Sequence, residues 1–171
     1  NETGTVQESN ITLNGSTNTQ NQDNSLETII TPSSRTIEDW EKTNYGTNFN
    51  QVVTVNVEIK NNSDKTIKSW EGTINIPKSK LYHNYSSDTE VIDNNGKYTF
   101  TNAGRWNTQS NHELAPGTSY TFNFTILQEN TYFTSEYKIT GKNEIEEDLT
   151  STNTGFKIYG GNNKGGLTNN A

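Results

Sequence analysis

Thr99-Phe100-Thr101-Asn102-Ala103-Gly104-Arg105-Trp106-Asn107, followed by Leu114-Ala115-Pro116-Gly117-Thr118-Ser119-Tyr120-Thr121-Phe122-Asn123-Phe124, reads as a strand, a loop carrying a Trp-Asn pair, a Pro-Gly turn and a second strand. In the second strand Tyr120, Phe122, Phe124 and Ile126 alternate with Thr121, Asn123 and Thr125, so one face is apolar and the other polar. The tryptophan between the strands has no hydrophobic run around it and little reason to enter a core. Its expected use is a flat platform for a ligand, and with polar neighbours the first ligand to consider is a sugar ring.

Working outward, Val53, Val55, Val57 and Ile59 alternate with Thr54, Asn56 and Glu58 in another half-buried strand. Asn61 to Lys65 is a turn by composition. Trp70 precedes the strand Gly72 to Ile76, which Pro77 ends, and is expected in the core. Asn94-Asn95-Gly96 signals a hairpin leading into Lys97 to Phe100, and Phe133 to Thr140 supplies a last strand. Short strands with Gly, Asn and Pro turns and no convincing helical period predict an all-β fold. The expected architecture is an antiparallel β-sandwich, Ig-like or jelly-roll-like, with polar N- and C-terminal extensions.

Only 27% of the 171 residues are hydrophobic, and the mean hydropathy is −0.96. The apolar residues concentrate between Ile37 and Thr140. The expected organisation is therefore a polar linker or added strands over 1–35 and a sandwich over 36–142. An acidic and then Gly/Asn-rich tail follows over 143–171, with an extra strand near 155–160. Small apolar clusters at Ile11-Leu13 and Leu26-Ile30 are the candidates for added strands. A net charge of −7 argues against nucleic acid, whose phosphates require a basic patch. No apolar run is long enough to span a membrane. Cysteine is absent, so disulfides and thiolate metal sites are too. Dominance of Asn, Thr, Ser and Gln, without Met or Cys, favours an extracellular or cell-surface protein. No signal peptide is visible, and the chain opens on Asn1, which leaves room for an upstream part removed on export.

Chemistry is not written into this sequence. His83 and His112 have no partner at metal-ligand spacing and read as surface histidines in polar loops. Neither a nucleophile elbow nor a phosphate-cradling Gly-rich loop is present. No cofactor, no metal and no catalytic residue is expected, and the chain reads as a non-enzyme. Asn-X-Ser/Thr triplets at Asn61, Asn84 and Asn123 are what chance gives in a chain so rich in Asn and Thr. Trp40 is ambiguous, since with Ile37 it could cover one edge of the core. Tyr45, Tyr85 and Trp106 differ, each being flanked by polar and turn residues beside a strand. Each is either an exposed platform or a lid on the core.

These residues resemble a known family. From about Ile37 to Gly141 the chain is similar to family 2 carbohydrate-binding modules, the cellulose-binding modules of bacterial plant-wall hydrolases. The resemblance rests on Tyr45-Gly46-Thr47-Asn48-Phe49, on Val55 to Asn62, on Ser69-Trp70 through Pro77 and on Tyr85-Ser86-Ser87. Its most specific part is Thr101 to Asn107 with Leu114 to Phe124. It implies an antiparallel sandwich, a buried tryptophan at Trp70, and a ligand face with a row of exposed aromatics at Tyr45, Tyr85 and Trp106. Rings in such a row stack on successive pyranoses of an extended β-glucan, while the rim amides Asn44, Asn84, Asn107 and Gln109 reach the hydroxyls. The chain departs from the family in having Tyr at two platform positions, no terminal cysteine pair, and Asn48 where cellulose binders carry Gly and xylan binders Arg. Retention of Tyr85 leans toward cellulose or chitin.

The resemblance thus implies a non-catalytic polysaccharide binder, with tails that link it to a parent catalytic domain, a scaffold or the cell surface. A rival reading is a structural surface or filament subunit that reuses the fold and self-associates through its tails. A third is a hydrolase acting through carboxylates that the sequence does not reveal.

Overall fold

In a computed structural model, the structure describes residues 19–22, 25–85, 87–105, 111–130 and 132–159, with the side chains of 19–22, 132–134 and 154–159 left undescribed. In chain order the elements are β1 (Thr19–Gln22), β2 (Leu26–Thr36), α1 (Asp39–Tyr45), β3 (Gln51–Asn61), β4 (Ile67–Asn75) and β5 (Ser79–His83). They continue with β6 (Ile92–Asn94), β7 (Lys97–Thr101), β8 (Ser119–Gln128), β9 (Tyr132–Asn143) and β10 (Asp148–Tyr159). All strand pairs are antiparallel, in a six-stranded sheet ordered β1-β10-β9-β4-β7-β6 and a four-stranded sheet ordered β2-β3-β8-β5. The protein is an all-β antiparallel sandwich.

Alternation decides which side chains meet between the sheets. Val53, Val55, Val57 and Ile59 of β3 and Phe122, Phe124 and Ile126 of β8 face Trp70 and Ile74 of β4, Tyr98 and Phe100 of β7, and Tyr137 and Ile139 of β9. Trp70 is 2% exposed and stacks on Phe122, with ring centroids 6.2 Å apart and planes at 12°. Its indole N–H donates to the His112 carbonyl at 2.7 Å. Asn95 and Gly96 have φ of 55° and 86°, the left-handed pair of a type I′ hairpin turn between β6 and β7.

Two boundaries differ from those the sequence suggests. The sandwich runs well outside 36–142, because β2 pairs with β3 along its whole length, and β10 pairs with β9 and β1. The added strand anticipated at Leu26-Ile30 is the start of β2 and the one near 155–160 is the end of β10, while the rest of each strand was hidden by polar residues that point inward. Thr28 of β2 donates to Ser151 of β10 at 2.8 Å, between the sheets. Tyr137 is buried at that junction, its hydroxyl bonded to Ser151 and Thr28, and burial pushes its pKa up. Thr28, Ser151 and Asn153 occupy core positions that a search for apolar alternation passes over. Of the acidic segment, Glu144 to Asp148 are exposed, but Leu149 is buried. The apolar cluster Ile11-Leu13 lies outside the described residues.

The second difference is α1, a seven-residue helix where no helical period was legible. Val52 and Leu127 neighbour the inward-facing Val53 and Ile126, so they point to the outer face of the four-stranded sheet. There they form a second apolar cluster with Ile37 and Phe49, against which Tyr82 packs. The helix and its flanks thus cover one end of that face. Ile37 is buried, whereas Trp40 is 53% exposed and donates from its indole to Glu38.

Candidate functional site

One buried carboxylate anchors the helix. Glu41 is fully buried and accepts from both terminal nitrogens of Arg35, at 2.8 and 2.7 Å, from the Tyr82 hydroxyl at 2.7 Å and from the Glu38 backbone N–H at 3.0 Å. The first of these interactions, with Arg35, outweighs desolvation and lowers the Glu41 pKa to about 2. Burial, and then Glu41, push the Tyr82 phenol up to about 12, so it stays a neutral donor. Gly46, with φ of 142°, ends the helix by donating to the Lys42 carbonyl at 3.0 Å. A Cβ there would stand 3.0 Å from the Phe49 ring, so glycine is also what lets Phe49 close the cluster. Tyr45 is left at the helix end, 40% exposed.

A bulge on β5 does the rest. His83 pairs opposite Thr125 and Leu81 opposite Ile126, which leaves Tyr82 as the extra residue. Tyr82 and His83 therefore both reach the outer face instead of alternating. The result is a string of ring contacts along the β5 edge. Tyr45 meets Tyr82 edge-on at 5.1 Å and 68°, Tyr82 meets His83 at 5.1 Å and 42°, and His83 stacks on Tyr85 at 4.8 Å and 10°. Tyr85, 77% exposed, has one face on His83 and the other toward solvent. Between Tyr45 and Tyr85 the platform is stepped, not flat.

The remaining sequence candidates divide three ways. Asn44 is exposed beside Tyr45. Asn84 is not a rim residue, and this corrects the expectation. It is buried, donates to the Asn123 carbonyl at 2.9 Å, and accepts from the Val91 N–H at 3.1 Å and from Arg105. Its oxygen already accepts twice and the side chain is buried, so this amide straps a connecting segment to β8 instead of facing a ligand. Trp106, Asn107 and Gln109 lie outside the described residues. Their flanks do not: the Arg105 N–H donates to Asp88 Oδ1 at 3.0 Å, and His112 Nε2 lies 2.8 Å from Asp88 Oδ2. Asp88 thus ties Arg105 to His112, and Arg105 in turn bonds Asn84, the chain neighbour of Tyr85.

Sequence reasoning missed Tyr82 and His83, and it misread His112. The first two were concealed by the bulge, which breaks the period-2 pattern. His112 is only partly exposed, pairing with Asp88 and stacking on Tyr120 at 4.0 Å. Asn61 is fully buried, donating to the carbonyls of Lys65 and Leu114 at 2.8 Å each, so its Asn-X-Ser triplet cannot carry a glycan in the folded chain. Among the described residues no group of His, Cys, Asp or Glu is placed to hold a metal ion. Nor is any helix among them long and apolar enough to cross a membrane.

Glu41→Gln should lower stability at pH 7 by about 2 kcal/mol, since it removes a charged acceptor from a buried network. A carboxylate with its folded pKa depressed contributes stability above its unfolded value of 4.5, and that contribution is lost as pH falls toward about 2. Denaturant melts at a series of pH values should therefore show the wild-type advantage over the variant shrinking between those limits. A gap that stays constant with pH would remove Glu41 from the acid response.

No protein-family model matches the chain, and no curated protein matches it. Among solved structures it is similar to a Bordetella pertussis protein described as ApaA, with 12% identity, a TM-score of 0.44, and coverage of 78% of this chain and 94% of the other. It is also similar to a GH20 exo-β-N-acetylglucosaminidase from Vibrio harveyi, at 13% identity and a TM-score of 0.39, over 72% of this chain and 17% of the enzyme. The chitin-binding domain of Chi18aC from Streptomyces coelicolor matches at 22% identity and a TM-score of 0.35, over 62% and 89% of the two chains. These likenesses concern the course of the backbone alone.

Proposed function

We propose that this chain is a non-catalytic module of an exported or surface protein that binds an extended β-linked glycan along the β5 edge. The observation that carries the reading is the unbroken contact string Tyr45, Tyr82, His83 and Tyr85, whose two exposed ends come from separate parts of the sequence. Rings offer the apolar faces of pyranoses a surface that loses little conformational entropy on binding. The Tyr82 hydroxyl is committed to Glu41, which fixes the middle of the string before any ligand arrives. The Asn44 amide and the Tyr45 and Tyr85 hydroxyls supply the lateral hydrogen bonds. Trp106, Asn107 and Gln109, which lie outside the described residues, are retained as candidates for the same ligand on the sequence resemblance alone. On this reading tethering raises the local concentration of whatever domain the module is attached to.

The test is depletion of the purified chain by insoluble cellulose, chitin and xylan, with Tyr85→Ala and Trp106→Ala in parallel. Wild type should be depleted by one of them, and each variant should bind about tenfold more weakly, the value of one stacked ring. Because Tyr85 is so exposed, its removal should leave the melting temperature unchanged. Wild type that stays in solution with all three glycans, or variants that are depleted as well as wild type, would sink the reading.

A further inference from the structure

The outer face of the six-stranded sheet carries a feature that the aromatic edge does not use. Two adjoining depressions, of about 580 and 660 Å³, share Glu71, Thr101, Lys138 and Thr140 as common walls. Together they form one groove across β6, β7, β4, β9 and β10, on the opposite side of the sandwich from α1. One end opens at Glu90, Ile92 and Arg105, and the other at Lys142, Asp148 and Thr150. Alternation explains the floor. With Phe100, Gly72 and Ile139 turned inward, the outward positions fall to Thr73, Thr99, Thr101 and Thr140, which register side by side as Thr73 opposite Thr99 and Glu71 opposite both Thr101 and Thr140.

The chemistry of the lining narrows the occupant. In a chain of net charge −7, each depression is locally balanced, with Glu71 and Glu90 against Arg105 and Lys138 in one, and Glu71 and Asp148 against Lys138 and Lys142 in the other. Such a surface favours neither a polyanion nor a polycation. Short hydroxyl side chains, each both donor and acceptor, sit between carboxylates that only accept and cations that only donate. Lys142 and Asp148 already pair at 2.6 Å, while Glu71 and Lys138 form no ion pair among the described residues. A peptide adding as a strand would need a free sheet edge, and this is a face. An apolar ligand would meet threonines throughout, with Ile92 as the exposed apolar side chain at the rim.

We infer that this groove is a second binding site, for a single soluble chain of a neutral, hydroxyl-rich oligosaccharide. Glu71 and Lys138 are its central acceptor and donor, and the threonines bond hydroxyls on either side. The site goes beyond the aromatic edge and is independent of it, since no residue is common to the two.

Isothermal titration with cellohexaose, xylohexaose and N-acetylchitohexaose tests this on the full chain. Wild type should bind one of them. Lys138→Ala should weaken binding about fivefold, and Thr140→Trp, which fills the shared wall, should abolish it. Both substitutions are on the outer face, and unchanged melting temperatures would confirm that the fold is intact. Tyr85→Ala should bind the hexasaccharide as wild type does. Failure of every hexasaccharide to bind wild type overturns the inference, as does undiminished binding by Thr140→Trp or loss of binding in Tyr85→Ala alone. Depletion by insoluble glycan should survive Thr140→Trp, so failure of the edge and failure of the groove are read separately.

Discussion

Trp70→Ala is expected to cost about 3–5 kcal/mol, enough to leave a domain of ordinary stability marginally folded. The indole is 2% exposed and lies against Phe122, Tyr120 and Phe100 at 6.2, 5.9 and 6.4 Å. Its removal opens a cavity between rings that cannot collapse without breaking their own stacking. It also leaves the His112 carbonyl without the indole donor. Thermal unfolding should show a fall in Tm of about 10 °C or more. Trp70→Phe separates the two contributions. It restores most of the volume but not the N–H, and should recover all but about 1–2 kcal/mol. A cost for Trp70→Ala below about 1.5 kcal/mol would mean that this indole is not central to the core.

Gly96→Ala is the second large effect, for a different reason. Its φ of 86° is strained for any residue with a side chain, and a Cβ would stand 2.6 Å from the Ile76 carbonyl oxygen. That oxygen belongs to backbone held in place, since the Ile76 N–H donates to the Gly96 carbonyl at 2.8 Å. Neither partner can move away without opening the contact between the β6–β7 turn and the end of β4. A loss of about 2–4 kcal/mol is expected in chemical denaturation. Asn95→Gly, in the same turn, should be nearly neutral because glycine tolerates the φ of 55°. Equal effects at the two positions would place the cost in the turn as a whole and not in the clash.

What was legible in the sequence follows from where apolar residues were needed. β3 and β8 lie in the middle of their sheet, and the apolar alternation of Val53 to Ile59 and Tyr120 to Ile126 announces them. Trp70 was readable for the same reason. β2 and β10 were harder because their inward positions switch from Leu26, Ile30 and Leu149 to Thr28, Ser34, Ser151 and Asn153. Hydrogen bonds between side chains there do the work of apolar contact, and no periodicity records that. α1 is too short to show a period, and its stability comes from Arg35 and Tyr82, which are remote from it in pattern. In the candidate site, Tyr45 and Tyr85 were legible as aromatics with no apolar company. Asn84 was not legible as structural, because an amide that bonds a carbonyl and one that bonds a sugar look alike in sequence. Tyr82 and His83 depended on a bulge, a property of the pairing and not of either residue.

The β1–β10 pairing also governs how the domain would bear load. Thr19 lies opposite Thr154 and Gln22 opposite Ser151, so the chain enters and leaves at the same end of one antiparallel ladder. Tension between Thr19 and Tyr159 would not shear those pairs together. It would part them one after another from that end, as a zipper opens, until the pull reached β2. From there the eleven residue pairs joining β2 to β3 come under strain. A module tethered at both ends would thus yield a short length of chain at low force before its sandwich was threatened.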